Sequence, residues 1–233
     1  DKNKTLIKVD GNKQIESSKY SVFGDPSTAA FFSAICMLGT NSKLKIKNLG
    51  LNPKRTGFFR LMKSHSAKIS FNNVKKNRIN EIVGDVHVKS CKIKPITAKA
   101  DMYPSMPDEY PILFVIAALT PGKHFFHGIS DLANKESSRA YEMKKVLHQI
   151  GVKCKLTKNK MIIYGLKKIK NKNTTIKVGN LLDHRICMAT MCLSLITGIK
   201  CHIKNFQTVD TSAPSFLKII KKNLNGKFKI EKK

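Results

Sequence analysis

At 233 residues, with 41% hydrophobic content, the chain is long and apolar enough to bury a sizeable core, so a disordered tail is excluded despite a net charge of +29. Its longest apolar runs, Pro111–Leu119 and Ile186–Thr197, fall well short of the roughly 20 residues that span a bilayer, so no membrane partner is expected. No secretory signal opens the sequence.

The 44 basic residues comprise 39 lysines and 5 arginines, spread along the whole chain without a recognised DNA- or RNA-binding motif or an interleaved aromatic platform. The lysine excess therefore reads as solvated surface. Nucleic acid is not an expected partner, and attraction of anionic metabolites is a secondary consequence. Six cysteines are present, none in a Cys-x-x-Cys pair, and Cys36, Cys187 and Cys192 fall inside apolar stretches. They read as buried thiols in a reducing, cytoplasmic compartment, so no metal site is expected.

The chain begins at Asp1, and Thr5–Val9 has the alternation of a strand. Residues 1–20 fit no repeat and are expected to be terminal strands of an N-terminal domain that precedes this chain. Asp25 then opens an apolar helix, Ala29–Leu38, followed by a strand at Lys43–Lys47 and an amphipathic helix at Thr56–Ser64. Strands at Lys68–Phe71 and Asp85–Lys89 complete a first unit, about residues 21–100. Asp108 opens the next: helix Ile112–Leu119, strand His124–His127, helix Ser137–Ile150 and strands Val152–Leu156 and Met161–Tyr164, about residues 101–166. Asp183 opens the third: helix Ile186–Ile196, strand Lys200–Lys204, helix Ser215–Leu224 and strand Lys227–Glu231, about residues 167–233.

From each opening, a step of 28 residues reaches the head of the second helix, at Pro53, Glu136 and Thr211. A glycine suited to a left-handed cap ends each first helix: Gly39, Gly122 and Gly198. Self-similarity at fixed spacing means one supersecondary unit used three times. The fold class is α/β (α+β): a pseudo-threefold prism, or inverse α/β barrel, of three βαβαββ-type repeats with buried helices and sheets outside.

The repeats bring the scarce charged groups Asp108, Glu136, Arg139, Asp183 and Arg185 to comparable helix beginnings, where free backbone N–H groups favour anions. Taken singly, Asp108 and Glu109 read as helix caps, Glu136 and Arg139 as an i,i+3 pair, and His184 as structural. Acids number only 15, however, and arginines persist where lysine fills most basic positions. An arginine grips carboxylate or phosphate bidentately, which lysine cannot. Two carboxylates beside two such arginines suit proton transfer on a polyanionic substrate.

Several segments resemble the C-terminal half of the 5-enolpyruvylshikimate-3-phosphate synthase (3-phosphoshikimate 1-carboxyvinyltransferase) family of enolpyruvyl transferases. They are Gly24-Asp25-Pro26-Ser27-Thr28-Ala29, Leu51-Asn52-Pro53-Lys54-Arg55-Thr56-Gly57, Pro107-Asp108-Glu109-Tyr110-Pro111, Lys135-Glu136-Ser137-Ser138-Arg139 and Asp183-His184-Arg185. The match covers roughly residues 15–220.

The resemblance implies a transferase of the shikimate pathway, in aromatic amino-acid biosynthesis, that moves the enolpyruvyl group of phosphoenolpyruvate to the 5-hydroxyl of shikimate 3-phosphate. It implies no cofactor and no metal. Two similar domains close over the substrates, and a complete enzyme is expected to be a monomer. By the same carry-over Asp108 and Glu136 are catalytic, Lys135 binds shikimate 3-phosphate, and Arg139 and Arg185 bind phosphoenolpyruvate. Ser138 stands where the family has an aspartate, and Ala133-Asn134 where it has Arg-Val, so Arg139 is expected to be held less firmly. The motifs of the family's N-terminal domain are missing from this sequence. That domain is expected in the same or a separate chain, and residues 21–233 alone are expected to be inactive. The alternatives on the same fold are an enzyme like the UDP-N-acetylglucosamine enolpyruvyl transferases and a non-catalytic or RNA-binding domain.

Overall fold

Apolar residues on every side of a helix leave it no solvent face, and three such helices occupy the centre of the fold. The computed structural model describes residues 6–11, 14, 17, 19–77 and 80–224. The first unit runs α1 (Pro26–Leu38), β1 (Lys43–Gly50), α2 (Gly57–Ser64), β2 (Lys68–Lys76) and β3 (Ile82–Lys89). The second runs β4 (Thr97–Ala98), α3 (Tyr110–Leu119), β5 (Gly122–His127), α4 (Arg139–His148), β6 (Lys153–Thr157) and β7 (Lys160–Gly165). The third comprises β8 (Thr175–Val178), α5 (His184–Thr197), β9 (Lys200–Ile203) and α6 (Phe216–Leu224).

Helices α1, α3 and α5 pack against one another, and each is followed by a strand of an outer sheet. In α3 every residue from Tyr110 to Ala118 is buried, and Pro111 sits in the first turn, where its missing N–H costs nothing. Fully burying each Ile, Leu, Val or Phe there contributes roughly 1.5–3 kcal/mol, which outweighs the modest helix propensity of β-branched residues. Cys36, Cys187 and Cys192 are buried free thiols within this core.

The sheets have the orders β1-β3-β2, β4-β5-β7-β6 and β8-β9. Two parallel pairs mark the repeat, β4 with β5 across α3 and β8 with β9 across α5. In the first unit the same pairing is reduced to a parallel bridge between Gly24 and Leu49 across α1. The leading strand of the second unit thus lies at residues 97–98, ahead of α3. Along β5 the side chains alternate, with His124 and Phe126 buried beneath the sheet and Lys123 exposed, the period of two expected of a half-buried strand.

The expected βαβαββ plan is therefore present, with differences at its edges. Leu6–Asp10 are exposed and carry no strand, because a strand needs a hydrogen-bonding neighbour and the described residues supply none there. The strand expected at Lys227–Glu231 lies outside the described residues, as do Thr5 and Arg78.

The second helices begin a few residues after their expected heads, at Gly57, Arg139 and Phe216. Only Gly198 is the left-handed cap foreseen for all three glycines, with φ 74° and its N–H donating to Ser194 O. Gly39 has φ −75° and is needed for space instead, since a Cβ there would lie 2.6 Å from Ser42 Oγ. Gly122 belongs to β5, and α3 ends at Thr120. Among the described residues no helix is long and apolar enough to cross a membrane.

Candidate active site

The beginnings of α3, α4 and α5 converge on one guanidinium. Arg139, the first residue of α4, is only 1% exposed and donates to three carboxylates from three segments. Its Nε bonds Asp183 Oδ2 at 3.1 Å, its Nη1 bonds Asp108 Oδ1 at 2.8 Å, and its Nη2 bonds Glu136 Oε2. A planar fork with fixed donors can satisfy three acceptors at once; an ammonium on a flexible stem would not hold this geometry.

Asp183 is 0% exposed and serves as more than a helix cap. Oδ1 accepts the Arg185 N–H at 3.0 Å, while Oδ2 accepts Ser137 Oγ–H at 2.8 Å in addition to Arg139. This explains why α4 starts late: Ser137 and Ser138 are held out of helical geometry, with Ser138 at ψ 78°, so that the Lys135–Ser138 segment can face Asp183. Ser138 makes no side-chain cap to α4, and three carboxylates at other positions hold Arg139.

Arg185 lies in the first turn of α5, with Nη2 3.6 Å from Asp108 Oδ2. Its Nε and Nη1 are buried and have no hydrogen-bond partner among the described residues. Unpaired buried donors cost roughly 1–3 kcal/mol each, more when charged. Two of them, on a guanidinium at a helix N-terminus, are a donor set that suits an anion.

Burial alone would push the Asp108 carboxyl up, but the Arg139 hydrogen bond and the charges of Arg185, Arg139 and Lys135 together draw it below its ordinary value. Lys135 stands at the margin, its Nζ 3.4 Å from Asp131, whose carboxylate also accepts the Tyr103 hydroxyl at 2.8 Å. The cluster reaches the surface through Asp108 and Glu136, whose side chains are 31% and 44% exposed. Surface depressions also lie elsewhere, one lined by Asn48, Asn73 and Asp85 and another by His148, Cys154 and Tyr164.

The profile of the family described as EPSP synthase (3-phosphoshikimate 1-carboxyvinyltransferase) matches residues 1–220. The chain belongs to the EPSP synthase family.

Among relatives of the chain, the 3-phosphoshikimate 1-carboxyvinyltransferase of Petrotoga mobilis is 35% identical over 219 residues, covering 94% of this chain and 50% of its own length. That of Clostridium tetani is 35% identical over 212 residues, covering 90% and 47%. The solved EPSP synthase of Acinetobacter baumannii superposes with a TM-score of 0.74 at 29% identity, over 84% of this chain and 45% of that one. The enolpyruvyl transferase NikO from Streptomyces tendae, at 12% identity and a TM-score of 0.65, shares the fold. The chain spans about half the length of the curated relatives it matches.

The five charged groups that the repeats gather, Asp108, Glu136, Arg139, Asp183 and Arg185, thus meet in this fold, with Lys135 beside them. Two features escape a sequence reading. Asp183 is the fully buried hub of the cluster, a role that its place before a helix does not reveal. Glu109, 2% exposed, ignores its own helix and accepts the Ser27 hydroxyl of the first unit at 2.6 Å. Adjacency to Asp108 was the available signal for Glu109, but spacing cannot show which way a cap residue turns.

Proposed function

We propose that this chain is the C-terminal half of an enzyme transferring the enolpyruvyl group of phosphoenolpyruvate to the 5-hydroxyl of shikimate 3-phosphate. The observation that carries the proposal is the Arg139–Arg185 pair with Asp108 shared between the two guanidinium groups, one saturated by carboxylates and the other with two unpaired buried donors. Asp108, held ionised, takes the proton from the 5-hydroxyl as its oxygen bonds the central carbon of phosphoenolpyruvate. Glu136 delivers a proton to the methylene carbon, giving a tetrahedral intermediate with a methyl group. Glu136 then removes a methyl proton as the carbon–oxygen bond to phosphate breaks, restoring the double bond, and the departing phosphate takes the proton held by Asp108 and leaves as inorganic phosphate.

Arg185 and Arg139 balance the carboxylate and phosphate charges of phosphoenolpyruvate, and Lys135 faces the shikimate hydroxyls. The reaction requires neither metal nor organic cofactor in this scheme. Residues 1–20 join the other half, supplied by the same or a separate chain, and the completed cytoplasmic enzyme is a monomer.

The test is phosphate release from the two substrates, by this chain alone and by this chain joined to the N-terminal half of the Petrotoga mobilis relative. No turnover is expected from the chain alone, and turnover from the joined protein. Glu136→Gln in the joined protein is expected to lower kcat by roughly 10²–10⁴-fold, the range for loss of a general acid–base. Near-normal phosphate release by that variant sinks the assignment.

A further inference from the structure

Glu109 is a buried carboxyl that takes part in none of the ion pairs among the described residues, although it directly follows Asp108. It stands at the N-cap of α3 but makes no side-chain bond to that helix. Its Oε1 instead accepts the hydroxyl of Ser27, in the buried first turn of α1. The same Ser27 Oγ accepts a hydrogen bond from Arg55 Nη2 at 3.3 Å, and that nitrogen lies 3.7 Å from Asp25 Oδ1. A continuous chain of polar contacts therefore runs from half-exposed Arg55, through Ser27, to the turn that carries Asp108.

The charges explain why this matters. Asp108, Glu136 and Asp183 set three negative charges around the two positive charges of Arg139 and Arg185. An ionised Glu109 would add a fourth, one residue from Asp108, at a place that has to receive an anion. The groups facing Glu109 are Ser27, Asp108, Arg185 and Tyr110, with Arg55 and Asp25 reaching it through the Ser27 hydroxyl.

We infer that Glu109 is a proton-carrying positioning residue: neutral, it ties α1 to α3 and leaves the unpaired donors of Arg185 able to bind an anion beside Arg139, and ionised, it weakens that binding. The inference rests on the reading of Arg139 and Arg185 as the anion grip. Burial first, and the charge of Asp108 as well, push the Glu109 carboxyl up to about 7 against the opposing Ser27 hydrogen bond and Arg185 charge. The proton is therefore exchanged near neutrality.

The experiment uses the complete 233-residue chain with sulfate as the probe, because sulfate keeps one charge across the range. Binding is followed through the Arg185 Nε–H resonance between pH 6 and pH 8.5. Sulfate affinity of the unmodified chain is expected to fall roughly three- to tenfold over that range, the size of one added like charge in a partly solvated site. Glu109→Gln, isosteric and neutral, is expected to abolish most of the fall.

An unchanged pH dependence in Glu109→Gln overturns the inference while leaving the anion grip intact. Absence of any sulfate effect at Arg185 at pH 6 overturns both. A direct measurement needs no variant: the Glu109 side-chain carbonyl carbon is expected to titrate with a midpoint near 7, and a midpoint in the ordinary carboxylate range overturns the inference. A purely structural role for Glu109 would alter stability but leave the pH profile of sulfate binding unmoved.

Discussion

Arg139 shows how one side chain can be structural and functional together. A buried guanidinium costs least where acceptors surround it, and around Arg139 Asp108, Glu136 and Asp183 do so from three segments. Arg139→Lys preserves the charge but cannot reach all three, so it is expected to cost about 2–4 kcal/mol in chemical denaturation. A loss below about 0.5 kcal/mol would show that the carboxylates do not depend on the fork.

Two neighbouring carboxyls should then give opposite pH limbs. The Asp108 carboxyl lies below its ordinary value of 3.8, so its contribution to stability is present above that pH and is lost as pH falls through the folded value. Glu109 lies above its ordinary 4.5, at about 7, so its contribution is full below 4.5 and is lost as pH rises through about 7. Denaturation midpoints at pH 5 and pH 8 are expected to differ less in Glu109→Gln than in the unmodified chain. An equal difference in both would place the basic limb on another group.

At the scale of elements, α3 is the best determined piece. Nine consecutive buried residues and a proline in the first turn leave the sequence one conformation and one location. Phe114 packs edge-on against Phe126 at 4.9 Å between ring centroids, and also against Tyr110. Phe114→Ala is therefore expected to destabilise the chain by about 3–5 kcal/mol, measurable by denaturant titration.

The end of α3 meets β7 just as closely: a Cβ added at Gly165 would lie 1.8 Å from Thr120 O. The adjoining Leu166 N–H donates to Ala118 O at 2.9 Å, so Gly165→Ala must separate the strand from the helix end. A loss of at least about 1 kcal/mol is expected, by the usual cost of overpacking. An unchanged denaturation midpoint would show that this junction yields freely. The sequence gives no warning of this contact, because it depends on the approach of two elements 45 residues apart.

At the scale of the molecule, the polar contacts between units follow from the pseudo-threefold plan. Helix beginnings from all three units are stitched together, α1 to α3 through Ser27 and Glu109, and α3, α4 and α5 through Arg139. The cluster is open at Asp108 and Glu136, the exposure that the proposed second half of the enzyme would cover. Relatives are about twice as long, which gives that second body a source.

The 28-residue recurrence, the all-round apolar helices and the rarity of arginine determined the repeat plan and gathered the five charged residues of the cluster. Those are local or periodic properties, written into neighbouring residues by the geometry of helices and strands. Only the tertiary structure decided that Arg139 meets Asp108, that Asp183 is the buried hub, and that Glu109 turns toward Ser27. Each of these depends on which acceptor a buried donor meets across 31 to 82 residues of chain. Spacing along a sequence cannot determine such pairings, because they are set by the packing of whole elements.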